Sequence, residues 1–183
     1  MRQISEIIIR YRSLVGILCM IGVIYFAVPT ARALFIGFFL IIGGMVFRAW
    51  SSGFINKNRE LATHGPYSLT RNPLYFGNFL IGLGFAVAGN TIHTYLIFFL
   101  YYLLFFPYLM FLEHKKMKEK FGEDYEKWAK DSNTFFPKIR KVDKPGFNIS
   151  YYMKNKEYRV LYFSLFFIAL LILKTLFLLK SNQ

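Results

Sequence analysis

Five apolar runs divide the chain, and none of them alternates. They are Ser13–Val28 ("SLVGILCMIGVIYFAV"), Ala31–Phe47, Leu74–Gly89, Thr94–Leu112 and Val160–Leu173, the last continuing past Lys174 through "TLFLL". A period of two would mark a half-buried strand; unbroken apolarity over such lengths marks a helix that is apolar all round. Several runs fall short of the ~20 residues that cross a bilayer untilted. Flanking Tyr, Arg and Lys side chains can extend them by snorkelling. Only helices and closed barrels satisfy every backbone group inside lipid. The pattern therefore predicts an all-α polytopic membrane protein with about five transmembrane helices.

The first run has features of a secretory signal: Arg2, Arg10 and Arg12 precede it and "ARA" follows it. The second apolar run begins at once, so Ala31 to Ala33 reads as the tight turn of a helical hairpin rather than a cleavage site. The length predicts one domain, residues 1–183.

Composition agrees with the pattern. Hydrophobic residues make up 55% of the chain, against ~45–50% in soluble domains. The single cysteine, Cys19, lies inside an apolar run and reads as a small packing residue. A lone cysteine leaves no disulfide framework and no Cys-based metal site within one chain.

Charge changes the picture more. The net charge is +13, which suits either nucleic acid or an anionic lipid surface. Its placement favours the membrane and no nucleic acid. Of 23 Lys and Arg, three lie before Ser13, four from Arg48 to Arg71 and thirteen from Lys115 to Arg159; the connection "GNTIH" has none. By the positive-inside rule, the N-terminus and both basic connections face the cytoplasm. The segment 138–183 then comprises a cytoplasmic linker and a C-terminal transmembrane helix. An outer C-terminus follows, which Lys174 and Lys180 mildly oppose.

The two basic connections also carry the chemistry. In "HGPYSLTRNPLYFGN", His64 to Asn78, Gly65-Pro66 signals a turn. Asn72 precedes a proline and is pushed to extended backbone, which suits an N-cap; Pro73 suits the first helical position. A helix starting there offers free N–H groups and a positive dipole end, able to hold a carboxylate. Arg71 adds a hydrogen-bonding fork, and Tyr67 and Tyr75 add faces for a flat base or a cation. The same residues also suit a plain interfacial helix start with ordinary anchors.

In "EHKKMKEKFGEDYEKW", Met117, Phe121, Tyr125 and Trp128 recur at helical spacing, and Glu113 and His114 project onto the same sector. A carboxylate there is costly without a partner. It either pairs with a loop arginine such as Arg59 or Arg71, or accepts from a ligand's amine or hydroxyl. Gly122 is placed to bend or end the helix. The glycines Gly82, Gly84 and Gly89 resemble G-x-G but lie inside an apolar span with no strand before them, so they read as close helix contacts, not a dinucleotide loop. His64, His93 and His114 lack metal-ligand spacing, no metal site is expected, and no serine sits in a nucleophile elbow.

Taken together, "KNRELATHGPYSLTRNPLYFGN" and "EHKKMKEKFGEDYEKW" resemble the isoprenylcysteine carboxyl methyltransferase and phospholipid methyltransferase superfamily of integral membrane enzymes. Gly65, Tyr67, Arg71, Asn72, Pro73 and Tyr75 match its first block; Glu113, Met117, Phe121, Gly122 and Tyr125 match its second. The motif core spans residues 48–137. The resemblance implies an S-adenosylmethionine-dependent methyltransferase with its cofactor pocket at the cytoplasmic face. Its acceptor would be a lipid or lipophilic small molecule entering from the bilayer.

By the same resemblance, Arg59, Glu60, Leu61, Ala62, Tyr67, Asn72, Pro73, Leu74, Tyr75 and Glu113 would line the cofactor. Arg71 and His114 are the candidate catalytic residues. His114 stands where relatives carry a second acid, and Leu109 where prenylcysteine enzymes carry a substrate arginine, which removes support for a prenylcysteine carboxylate. Two other readings are a membrane reductase using a reduced nicotinamide cofactor and a non-catalytic scaffold of the same fold. The sequence says nothing of oligomeric state.

Overall fold

A computed structural model describes residues 2–56, 60–139, 141–142 and 147–181, with side chains from Arg10 onward. The helices run in the order α1 (Arg2–Phe26), α2 (Ala31–Ser52), α3 (Pro66–Leu69), α4 (Pro73–Gly89), α5 (Ile92–Asp131), α6 (Ile149–Lys154) and α7 (Tyr158–Ser181). Among the described residues no strand forms, and the one bridge joins Thr70 to Asn133. The protein is an all-α membrane protein. Helices α2, α5 and α7 are long and apolar enough to cross a bilayer, and α4 is a shorter apolar helix. Helix α1, 25 residues long, carries the first apolar run.

The chain divides into two compact units. One comprises residues 1–42, 81–109 and 163–183; the other comprises 43–80 and 110–162.

The first unit wears its large apolar side chains outside. Leu14, Leu18, Phe35, Phe39, Leu100, Leu103, Leu104, Phe166 and Leu176 are all exposed. Such a surface is unstable in water and suited to lipid tails. Lipid supplies no hydrophobic drive between helices, so packing depends on close approach. Gly37 and Gly84 provide it: a Cβ at Gly84 would stand 2.7 Å from the Gly37 carbonyl and 2.6 Å from Ile41 Cγ1. Gly82 lies under the Phe98 ring and Gly89 against Thr94, so Gly82, Gly84 and Gly89 all mark contacts.

The helix ends of this unit are closed by its own polar groups. Thr30 Oγ1 accepts from Ala33 N–H at 3.2 Å and caps α2, so Ala31 to Ala33 form its first turn. The two short connections join: Val28 N–H donates to the Gly89 carbonyl at 2.9 Å, and Thr91 Oγ1 to the Phe26 carbonyl at 3.1 Å. Both therefore lie at the same end of the unit. Lys174 Nζ donates to the Ile24 and Tyr25 carbonyls at 2.7 and 2.6 Å, satisfying the last turn of α1. His93 stacks on Phe26 at 4.9 Å between ring centroids.

Candidate functional site

Both basic connections fall in the second unit, with nearly every residue that the sequence singles out for chemistry. Helix α4 begins at Pro73 as its sequence predicts. Asn72 behaves differently from a simple cap. Its carbonyl accepts from Phe76 N–H at 3.0 Å, while its side-chain amide donates to the Thr134 carbonyl at 2.8 Å. The amide is drawn there because a second segment runs alongside. Arg71 N–H donates to the Asn133 carbonyl at 2.8 Å, Thr70 Oγ1 to the Phe135 carbonyl at 2.9 Å, and Lys138 N–H to the Leu69 carbonyl at 2.8 Å. Phe135 packs edge-on against Phe76 and Phe79. Residues 132–138 thus hold the entry to α4 in place.

Helix α5 is broken at Gly122, where φ is 51° and ψ is −126°. A Cβ there would meet nothing within 4 Å, so the requirement for glycine is the backbone conformation rather than space. The break folds the polar end of α5 back on itself. His114 and Tyr125 are eleven residues apart, ~16 Å along a straight helix, yet His114 Nδ1 lies 2.8 Å from the Tyr125 hydroxyl. Lys118 and Glu126 pair at 2.5 Å for the same reason. The apolar stripe from Met117 to Trp128 is therefore two short faces meeting, not one continuous face.

Two buried phenols organise what these elements bring together. Tyr67, on α3, is 6% exposed, and its buried hydroxyl has no hydrogen-bond partner among the described residues. Burial pushes its pKa far above the ordinary tyrosine value, and the nearby Glu113 carboxylate adds to the shift. Arg48 opposes it, and Glu157 and Tyr75 reinforce it. Tyr125 is also pushed up by burial, opposed by the charge and hydrogen bonding of Arg71, with Glu113 again raising it. Glu113 thus lies within electrostatic reach of both phenols. It is half-buried and forms no ion pair among the described residues. Arg71 does not pair with it; its Nη2 donates to Thr134 Oγ1, and its Nε is buried without a partner. That leaves an acid, a phenol O–H and a guanidinium N–H available within one unit. Buried polar groups left open in this way mark places where a ligand can bond.

Residues 11–124, more than half of the chain, match the phospholipid methyltransferase family. The chain belongs to that family. It is 32% identical over 114 residues to the nickel-cobalt-cadmium resistance protein NccN of Alcaligenes xylosoxydans xylosoxydans, covering 60% of this chain and 52% of that one. It is also 32% identical over 96 residues to the cobalt-zinc-cadmium resistance protein CzcN of Cupriavidus metallidurans, covering 51% of this chain and 44% of that one. The chain thus spans about half the length of these curated relatives. No solved structure matches it.

Within this phospholipid methyltransferase family member, the remaining sequence-predicted residues fall into three groups. Tyr75 lies beside Tyr67, Pro73 is buried at the start of α4, and the Leu74 carbonyl accepts from Arg48 Nη1 at 3.1 Å. Glu60 is exposed and accepts from Asn56 Nδ2 at 3.2 Å, while Leu61 and Ala62 are half-buried. Arg59 lies outside the described residues. His114 is exposed as a residue, with its Nδ1 against the Tyr125 hydroxyl.

Sequence reasoning missed Arg48 and Glu157. Arg48 Nε donates to Glu157 Oε1 at 2.5 Å, with side chains only 11% and 8% exposed. Arg48 had one signal, a charge ending an apolar run; Glu157, a lone acid among lysines in "MKNKEYR", had none.

Proposed function

We propose that the protein transfers a methyl group from S-adenosylmethionine to a lipid or lipophilic acceptor at the cytoplasmic face of the membrane. The reading is supported by one observation: among the described residues of a single unit, Glu113 forms no ion pair, and the buried Tyr67 hydroxyl and Arg71 Nε have no hydrogen-bond partner. They suit a zwitterion. Arg71 Nε–H would bond the cofactor's carboxylate, and Glu113 would accept from its ammonium. The raised pKa of Tyr67 keeps its phenol protonated, hence a donor, at every working pH. Asn72, Pro73, Leu74 and Tyr75 would form the wall of the same site, together with Glu60, Leu61 and Ala62.

The bound sulfonium supplies the methyl group and is released as a neutral thioether. The chain's task is to hold the acceptor in line with the leaving sulfur and to keep water out. An acceptor bearing N–H or O–H must lose a proton. His114 would take it at Nε2 while Nδ1 donates to the Tyr125 hydroxyl, a tautomer the 2.8 Å contact allows. The cytoplasmic assignment, with a cytoplasmic N-terminus, rests on the Lys and Arg crowding the connections that carry these residues.

The test is transfer of label. Membranes containing the protein, incubated with methyl-labelled S-adenosylmethionine, should place label in the lipid extract, and Glu113→Ala membranes should place far less. Equal labelling with and without the protein would overturn the proposal. Turnover of a reduced nicotinamide instead would favour the reductase.

A further inference from the structure

Arg48 and Glu157 form a buried ion pair whose neighbours explain why it exists. Arg48 Nε donates to Glu157 Oε1 at 2.5 Å and Arg48 Nη1 to the Leu74 carbonyl at 3.1 Å. Leu74 is in the first turn of α4. The same guanidinium and the same carboxylate are both electrostatic neighbours of the unpartnered Tyr67 hydroxyl. One side chain thus links the start of α4, the phenol on α3 and a residue 109 positions further along.

Glu157 is itself fixed by the segment before it. Asn148 caps α6 through bonds from Ser150 and Tyr151 N–H. Asn155 Nδ2 donates to the Ser52 and Ile55 carbonyls at 3.0 and 2.9 Å, bonding the end of α2. Asn148 N–H donates to the Gly53 carbonyl at 3.2 Å, and the Phe147 ring fills the space where a Gly53 side chain would stand. Residues 147–157 are therefore strapped to α2 at several points, and the strap ends in the carboxylate that grips Arg48. All of it lies beyond residue 124, where the match to the phospholipid methyltransferase family stops.

A buried pair of this kind adds little net stability compared with apolar side chains of similar volume, and is retained where it fixes geometry. We infer that Arg48 and Glu157 are positioning residues: through them, the segment 147–157 sets the Tyr67 hydroxyl and the first turn of α4 in the arrangement that binds the cofactor. The inference deepens the proposed S-adenosylmethionine site and rests on it for the identity of the ligand. The positioning can be read without any ligand.

Glu157→Gln leaves a buried guanidinium unpaired and risks misfolding. The double variant Arg48→Met with Glu157→Leu removes both charges at similar volume and avoids that penalty. Two measurements are made on wild type and double variant in detergent, after matching their thermal midpoints. The first is amide exchange in the segment Pro66 to Phe76. It should speed up at least ~10-fold in the double variant while α7 is unchanged; unchanged exchange in that segment overturns the inference. The second is S-adenosylmethionine affinity by calorimetry, expected to fall at least ~10-fold, the size of losing one hydrogen bond to a charged group. An affinity equal to wild type also overturns the inference. Failure of wild type itself to bind counts against the proposed function, while the exchange result still decides the positioning claim.

Discussion

In the unit built from residues 1–42, 81–109 and 163–183, Thr30, Thr91, Thr94 and Lys174 direct their polar atoms at helix ends in the same unit. In the unit of residues 43–80 and 110–162, Ser52, Asn56, Tyr67, Arg71 and Trp128 each bury a polar atom with no partner. Among the described residues the first unit has one such atom, Ser164 Oγ. Both units use close glycine contacts and capped helix ends, so the difference is not one of packing quality. Open donors and an acid, on backbone fixed by bonds from residues 132–138 and 147–157, support the proposal that the ligand binds in the second unit.

The largest effect is expected at Glu113. Glu113→Ala should weaken S-adenosylmethionine binding by about 1.5–3 kcal/mol, the range for a hydrogen bond to a charged group, with thermal stability nearly unchanged. Gly84→Leu tests the scaffold, where even a Cβ would meet Ile41 and the Gly37 carbonyl. Overpacking there should cost about 1–3 kcal/mol in a denaturation measurement and leave the affinity of the folded fraction intact. Thr134→Val removes the hydroxyl that receives Arg71 Nη2. It should weaken binding by about 1 kcal/mol, measured by calorimetry.

The smallest effect is a pH dependence. The Tyr67 pKa is raised in the folded state. The unfolded chain therefore loses that proton first, and Tyr67 contributes full stability below about pH 10, lost as pH rises further. Tyr67→Phe should flatten the alkaline arm of an unfolding profile and leave the profile unchanged near neutrality.

Much of this was legible from the chain. Unbroken apolarity announced the helices, Asn72-Pro73 announced the start of α4, and Gly82, Gly84 and Gly89 announced contacts. Gly122 announced the break in α5. The consequence of that break was not legible: helical projection placed Tyr125 four residues beyond Phe121 on one stripe, whereas a positive φ turns it back onto His114. The pairing of Thr70 with Asn133 and of Arg48 with Glu157 was also invisible. These residues are 63 and 109 positions apart, and long-range pairs between ordinary polar residues leave no periodicity in a single sequence. Asn72 shows the limit from the other direction. Its local signal for a helix start was right, yet its side chain serves a segment that no local rule could place beside it.

On the proposed function, the second unit holds the methyl donor and the first does not. Isothermal calorimetry of S-adenosylmethionine against the purified protein in detergent tests it most directly, with Glu113→Ala and Lys174→Met run alongside. Wild type should bind saturably, Lys174→Met should retain that binding, and Glu113→Ala should lose it or weaken it strongly. Binding that survives Glu113→Ala unchanged, or a wild type that binds nothing, would contradict it.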